Sequence, residues 1–221
     1  MHTRLLLMSH APSAAQRSGR FAGPDEGLDA RGLAAAAAYA QRAPLAGELA
    51  SELASAAATD SPGGTALTSP AACARETAAA LGLTASVCDA LADTDYGNWR
   101  GLRVAELAAH EPQALAAWLR DPAAAPPGGE SFDAVRARVG AWLDALAAPA
   151  CTVPDLAAGR AVIAVTHAAV MRAAIVHALG SPSACFTQIE IAPLTTVELR
   201  HSATRGWTWW PATDPSPEAT A

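Results

Sequence analysis

Two unbroken apolar runs stand out in the hydrophobic pattern of this chain, and each leads directly into a histidine. Residues 4–9 lead into His10, and residues 161–166 lead into His167, where a helical pattern begins. Unbroken runs of this length, as opposed to alternating ones, are typical of strands buried on both faces of a parallel sheet. Because ligands of open α/β sheets bind outside the carboxyl ends of the strands, we expect the two imidazoles to share one crevice.

The rest of the pattern alternates between helices and strands. It predicts helices over 29–41, 46–57, 71–81, 131–146 (with Ser131 as N-cap) and 168–179, and one or two helices over 103–120 interrupted at Pro112. It predicts a turn at 60–64 and short strands at 65–69 and 85–88 and near 187–191, 194–200 and 206–210. This alternation indicates an α/β fold, a three-layer α/β/α sandwich with a mostly parallel central sheet. We expect residues 1–212 to form a single domain and residues 213–221 to be a disordered tail.

Composition and charge narrow the class of protein. The 221 residues are 51% hydrophobic, yet no stretch reaches the roughly 20 apolar residues that cross a bilayer. The N-terminus lacks the pattern of a cleaved signal peptide, which favours a cytoplasmic protein without a membrane partner. The net charge is −6 and the basic residues form no cluster, so nucleic acid is not an expected partner. Four scattered cysteines without a CxxC pair predict neither a zinc site nor a disulfide framework.

Short motifs between the two histidines occur in the order found in a known family. They are GRFAG at 19–23, LDARG at 28–32, TSPAACARETA at 68–78, DTDYGNWRGL at 93–102 and GGES at 128–131. Together with the two strand-then-histidine segments they resemble the histidine phosphatases, the phosphoglycerate mutase-like superfamily. The resemblance covers nearly the whole chain and is closest to the small phosphatases of the α-ribazole-phosphatase type. It implies the fold of that family and, as an expectation, its chemistry.

The resemblance assigns three catalytic roles. It implies that His10 is the nucleophile that forms a phosphohistidine, and that His167 is a charged or hydrogen-bonding partner of the transferring group. Asp93 lies where the family has a glutamate that protonates the leaving oxygen, and Asp95 is a rival for this role. An aspartate is one methylene shorter, so its carboxyl would lie about 1–1.5 Å further back on an unchanged backbone.

Several positions depart from the family pattern and make the active site degenerate. Ser9 and Cys73 stand where the family has the two arginines that clamp the phosphoryl group, and Gln16 stands where it has an asparagine. Neither a serine hydroxyl nor a thiol replaces a bidentate, charged donor. Arg17 and Arg20, in the loop after His10, are candidates to supply the missing charge. The expected substrate-binding residues are Ser9, Gln16, Arg17, Arg20, Cys73, Trp99 and Ala168.

Three hypotheses follow from these residues. The first is a phosphohydrolase acting on a small phosphomonoester through a phosphohistidine, without a metal or other cofactor, as a monomer or homodimer. The second is a catalytically inactive member of the family that binds a ligand. The third is an enzyme redirected to non-phosphate chemistry that uses His10, His167 and Asp93, with a Cys73 thiolate as an alternative nucleophile.

Overall fold

The computed structural model describes residues 2–42, 66–148 and 161–210. Its strands are β1 (His2–Ser9), β2 (Ala66–Thr68), β3 (Ala85–Val87), β4 (Ala161–Thr166), β5 (Thr196–Ser202) and β6 (Gly206–Trp210). Its α-helices are α1 (Ala14–Arg17), α2 (Ala30–Arg42), α3 (Ala72–Ala80), α4 (Val104–His110), α5 (Pro112–Trp118), α6 (Phe132–Ala147) and α7 (Ala168–Ala178). Short 3₁₀ turns cover Asp89–Leu91, Gly97–Trp99 and Ser183–Gln188. The predicted helix over 46–57, the predicted turn at 60–64 and the predicted tail lie outside the described residues.

The strands form one mixed sheet in the order β3-β2-β4-β1-β5-β6. The first four of these are parallel, and β5 and β6 are antiparallel to their neighbours. The central strand β1 is paired on both sides, with β4 on one side and β5 on the other. Parallel strands need crossover connections, and α3 and the segment containing α6 provide them.

The apolar runs are unbroken because both faces of the sheet are covered. Leu5 and Leu7 point into a core shared with α6 and α7, whereas Leu6 points into a second core with Ala74 and Ala78 of α3. Successive side chains of a strand face opposite sides, so a strand between two helical layers needs apolar residues at every position. The predicted three-layer α/β/α fold with a mostly parallel sheet is confirmed. The described residues contain no helix that is both long and apolar enough to cross a membrane.

Two local predictions differ from the structure. The strand predicted near 187–191 is wrong: Ser183–Gln188 is a 3₁₀ turn, and the Ile189 carbonyl accepts a hydrogen bond from Arg172 Nε (2.7 Å). Phe186 stacks on Phe132 with the ring centroids 4.6 Å apart, which holds the turn against α6. The loop expected after His10 contains the one-turn helix α1, which begins at a capping box formed by Ser13 and Gln16.

Candidate active site

The two histidines lie at the carboxyl ends of adjacent strands. Ser9 of β1 is in register with Thr166 of β4, so the next residues, His10 and His167, leave the sheet side by side. Their ring centroids are 5.0 Å apart at an interplanar angle of 61°, and both side chains are buried. Both residues line a cavity of about 740 Å³, which is the size of a site for a small molecule.

Hydrogen bonding fixes the orientation of the His10 ring. Nδ1 lies 2.8 Å from the carbonyl oxygen of Ala11, which can only accept, so Nδ1 carries the proton and donates it. In the neutral ring Nε2 is then an unprotonated lone pair. Burial lowers the pKa of His10, which favours this neutral form, although the Ala11 carbonyl and Asp93 oppose the shift. His10 is therefore held in the form that a nucleophile requires.

His167 is held through its other nitrogen. Its Nε2 lies 2.8 Å from Ser69 Oγ, and its Nδ1, also buried, has no hydrogen-bond partner among the described residues. The Asp93 Oδ2 atom is 3.4 Å from that Nδ1. Burial lowers the pKa of His167 to about 4, against the opposing effect of Asp93, so the ring is neutral at pH 7.

The two aspartates have different surroundings. Asp93 accepts from its neighbour Thr94 N (2.9 Å) and from Tyr96 Oη (3.4 Å), and its side chain is 29% exposed within the cavity lining. Asp95 Oδ1 instead accepts from Gly97 N (2.7 Å) and from the Arg100 guanidinium (2.6 Å). Since Asp95 is committed to an ion pair, the geometry favours Asp93 for proton transfer.

Cys73 lies in the first turn of α3, buried, and lines the cavity beside both histidines. Burial, and secondarily the charge of Asp93, raises the pKa of its thiol to about 12, so the thiol is protonated at neutral pH. The carbonyl of Cys73 accepts from Thr77 Oγ1 (2.7 Å), and the same Oγ1 accepts from Ala11 N (3.0 Å). Thr77 thus joins α3 to the peptide that follows the first histidine.

Three of the expected substrate-binding residues are outside the cavity lining. Ser9 Oγ donates to Ala192 O (2.6 Å) and accepts from Thr195 N (3.1 Å), in the segment that leads into β5. Arg17 pairs with Asp29 and donates to Pro12 O (2.9 Å). Trp99 is buried and donates to Glu111 Oε2 (3.2 Å).

The other four expected residues line the cavity. They are Gln16, Arg20, Cys73 and Ala168. The Gln16 side chain also closes the capping box of α1, with Oε1 accepting from Ser13 N (3.1 Å). Arg20 makes a bidentate ion pair with Glu26, at 2.6 and 2.5 Å. Its charge is therefore shared with a carboxylate.

Arg172 is a cation of the cavity that sequence analysis missed. It lines the cavity, partly buried, and donates through Nε to Ile189 O (2.7 Å). Within the described residues its two terminal nitrogens have no acceptor. Desolvation lowers the pKa of Arg172. Its position in the sequence could have predicted this. Arg172 lies one helical turn after Ala168, so both residues share the helix face that begins beside His167.

The charged side chains that line the cavity, taken together, do not favour anion binding. The lining contains the arginines Arg20, Arg100 and Arg172 and the carboxylates Glu26, Asp93, Asp95 and Glu190. Positive potential comes in addition from the N-terminus of α7, where Ala168 and Ala169 line the cavity and no side chain caps the helix. Among the described residues, that helix end and Arg172 are the positive groups of the cavity that no carboxylate pairs with.

Comparison with known proteins agrees with the fold and the order of the motifs. Residues 5–210 match the family model of the histidine phosphatase superfamily (branch 1). A bifunctional protein of Mycobacterium tuberculosis is 38% identical over 142 residues, which are 62% of this chain and 35% of that protein. The chain thus spans about a third of the length of the curated relatives it matches.

Solved structures of phosphatases share the fold over nearly the whole chain. A mycobacterial glucosyl-3-phosphoglycerate phosphatase in complex with VO3 superimposes with a TM-score of 0.73 at 25% identity, covering 94% of this chain and 96% of the other. A putative α-ribazole-5′-phosphate phosphatase from Escherichia coli gives a TM-score of 0.69 at 20% identity, with 94% of each chain covered. The chain belongs to branch 1 of the histidine phosphatase superfamily.

Proposed function

We propose that the protein is a phosphohydrolase that cleaves a small phosphomonoester through a phosphohistidine on His10. Family membership and the phosphatase neighbours support a phosphohydrolase activity. The observation that carries the proposal is the state of His10: Nδ1–H donates to the Ala11 carbonyl, which leaves the Nε2 lone pair for the cavity. A neutral, oriented imidazole is the nucleophile that this chemistry needs.

In the first step Nε2 of His10 attacks phosphorus, and the bond from phosphorus to the leaving oxygen breaks. Asp93, which lines the same cavity, gives its proton to that oxygen, and the alcohol leaves. In the second step water attacks phosphorus, Asp93 accepts the proton of the water, and the N–P bond breaks to release phosphate and His10. Asp93 is suited to both steps because it is partly exposed and, among the described residues, His167 is the only basic side chain paired with it.

Positive charge for the phosphoryl oxygens comes from groups other than the family arginines. The free backbone N–H groups at the start of α7 and the unpaired end of Arg172 both border the cavity. Stabilisation of the transferring group depends on such fixed donors. Arg20 adds less, since Glu26 neutralises most of its charge.

Hydrolysis of an aryl phosphate tests the proposal. Turnover by the wild-type protein is compared with that of His10→Ala and of His110→Ala, which alters an exposed histidine. We expect His10→Ala to lower kcat by at least about 10³-fold and His110→Ala to leave it unchanged. Rapid quenching into alkali should trap an acid-labile phosphoenzyme in the wild type and none in His10→Ala.

Two outcomes would contradict this function. Turnover that survives His10→Ala would show that another group performs the reaction. A folded wild-type protein that hydrolyses no member of a panel of small phosphoesters would favour the ligand-binding hypothesis.

A further inference from the structure

Cys73 brings a third metal-ligating side chain to the two histidines. One ring nitrogen of His10, one of His167 and the Cys73 sulfur all lie within 4.8 Å of one another, and all three residues are buried. No other set of three such residues converges in this way within the described parts of the chain. The residues come from positions 10, 73 and 167, so their spacing in the sequence gives no metal-binding motif.

Both rings present a free nitrogen and have the other one supported. The Ala11 carbonyl accepts the Nδ1 proton of His10, which leaves Nε2 unprotonated. Ser69 Oγ bonds Nε2 of His167, which leaves Nδ1 without a partner. Histidines that bind metals commonly have their second nitrogen held in this way by an oxygen, because it fixes the ring and its tautomer.

Asp93 lies beside the cluster without being one of its three members. Its Oδ2 is 3.4 Å from His167 Nδ1 without a hydrogen bond between them. In a tetrahedral zinc site with Zn–N and Zn–O bonds of about 2.0–2.2 Å, two ligand atoms are about 3.3–3.5 Å apart. A nitrogen and a thiolate sulfur bound to the same zinc would be about 3.5–3.6 Å apart. The three ligand atoms of the cluster lie within 4.8 Å of one another, so metal binding would have to bring them closer by about 1 Å.

The charge balance of the site also suits a dication. A thiolate at Cys73 and a carboxylate at Asp93 together carry two negative charges, which a divalent cation neutralises, whereas buried charges without partners are costly. Two imidazoles and one thiolate form a borderline-soft donor set, which favours Zn²⁺ and Co²⁺ over Mg²⁺ or Ca²⁺.

We propose that His10, Cys73 and His167 form a binding site for Zn²⁺, with Asp93 next to it. Binding releases the thiol proton of Cys73 to solvent and forms a Zn–S bond. The proposal does not rest on the phosphohydrolase function, since it requires only the three ligand atoms. Zn²⁺ on Nε2 of His10 would occupy the lone pair that attacks phosphorus, so the metal and the phosphohistidine exclude each other.

Spectroscopy with Co²⁺ tests the site without any measurement of activity. The full chain, freed of metal and kept reduced with a non-chelating reductant, is titrated with Co²⁺ and then with Zn²⁺. We expect one equivalent to give the visible bands of a tetrahedral ion and a sulfur-to-cobalt charge-transfer band, both lost when Zn²⁺ displaces Co²⁺. Competition with a chromophoric chelator then gives the Zn²⁺ affinity.

Matched variants identify the ligands. Cys73→Ala should remove the charge-transfer band and weaken Zn²⁺ binding by at least 100-fold, and Cys185→Ala, which removes a partly exposed thiol outside the cavity lining, should change neither. If Cys73→Ala does not fold, His10→Ala should weaken Zn²⁺ binding to the same extent. A folded wild-type protein without the charge-transfer band, or a band that persists in Cys73→Ala, would overturn the proposal.

Discussion

Ser9 and Cys73 are the two residues that the resemblance places at arginine positions of the family. Their side chains lie in opposite surroundings. Ser9 ends β1 with its hydroxyl turned away from the cavity, bonded to the backbone of Ala192 and Thr195. Cys73 begins α3 with its side chain in the cavity beside His10 and His167. Ser9 therefore supports the backbone, whereas Cys73 adds a thiol to the cavity.

The difference has a structural cause. The Ser9 hydroxyl is short enough to satisfy two backbone groups of the segment that leads into β5, and buried polar groups of the backbone require such partners. Cys73 faces two imidazoles and a carboxylate, and its thiol is too weak a donor to be satisfied there as an arginine would be. The Ser9 hydroxyl is therefore satisfied by backbone groups outside the cavity, whereas the Cys73 thiol faces the cavity beside the two histidines.

The largest expected effect is on the pH dependence of stability, which reports on the His167 ring beside Cys73. Burial lowers the pKa of His167 from 6.5 to about 4, so the unfolded chain takes up a proton at a higher pH than the folded one. The stability contributed by the neutral ring is fully present above pH 6.5 and is lost as pH falls towards 4. We expect the free energy of unfolding to fall by about 2 kcal/mol between pH 7 and pH 5.

Urea denaturation at a series of pH values measures this effect. His167→Gln should flatten the profile over this interval, whereas His110→Gln, at an exposed histidine, should leave its slope unchanged. His10 should contribute in the same direction, because burial lowers its pKa too. Parallel profiles for the wild type and His167→Gln would mean that the buried ring does not titrate as described.

Cys73→Arg tests whether the helix side can recover an anion clamp. An arginine at this position would offer charge-assisted, bidentate donors to phosphate oxygens. We expect turnover of an aryl phosphate to rise by at least about tenfold, which corresponds to about 1.4 kcal/mol of transition-state stabilisation. Steady-state kinetics of the folded variant provides the measurement.

Two controls make this result specific. Cys73→Met adds length without charge and should not raise turnover, and Cys73→Arg combined with His10→Ala should remain inactive. An unchanged rate in folded Cys73→Arg would show that His10 and Asp93 are not set for phosphoryl transfer.

Ser9→Ala should affect stability and leave catalysis almost unchanged. Loss of the hydroxyl removes one hydrogen bond from the Ala192 carbonyl and one from the Thr195 amide, which keep their 3.2 Å bond to each other, so we expect the free energy of unfolding to fall by about 1 kcal/mol. Ser86→Ala, at an exposed position of the edge strand β3, should cost less than half as much. A large loss of kcat/KM in Ser9→Ala with unchanged stability would place Ser9 in the site after all.

The sequence predicted the layers of the fold well because burial has a local signature. The runs before His10 and His167 are apolar at every position, as two-sided burial requires. The Pro112 interruption was also predictable, since α5 begins at that proline. The strand expected near 187–191 failed for a long-range reason: β1 is already paired on both sides, and Arg172 takes the Ile189 carbonyl.

The site was predictable in its location more than in its chemistry. Two strand ends were enough to place His10 and His167 together, but the direction of a side chain depends on partners that are distant in the sequence. Ser9 turns towards Ala192 and Thr195, and Arg17 towards Asp29, so neither lines the cavity. The approach of Cys73 to both histidines is likewise a property of the folded chain alone.

The Thr77 hydroxyl gives the site a mechanical property. It accepts from Ala11 N and donates to the Cys73 carbonyl, so a single side chain, itself fully buried, links the peptide after His10 to the helix that carries the thiol. A displacement of α3 is transmitted to the His10 loop through two hydrogen bonds and no flexible side chain. We therefore expect a bound molecule that displaces the Cys73 backbone to displace the His10 loop with it, so that both sides of the cavity move together.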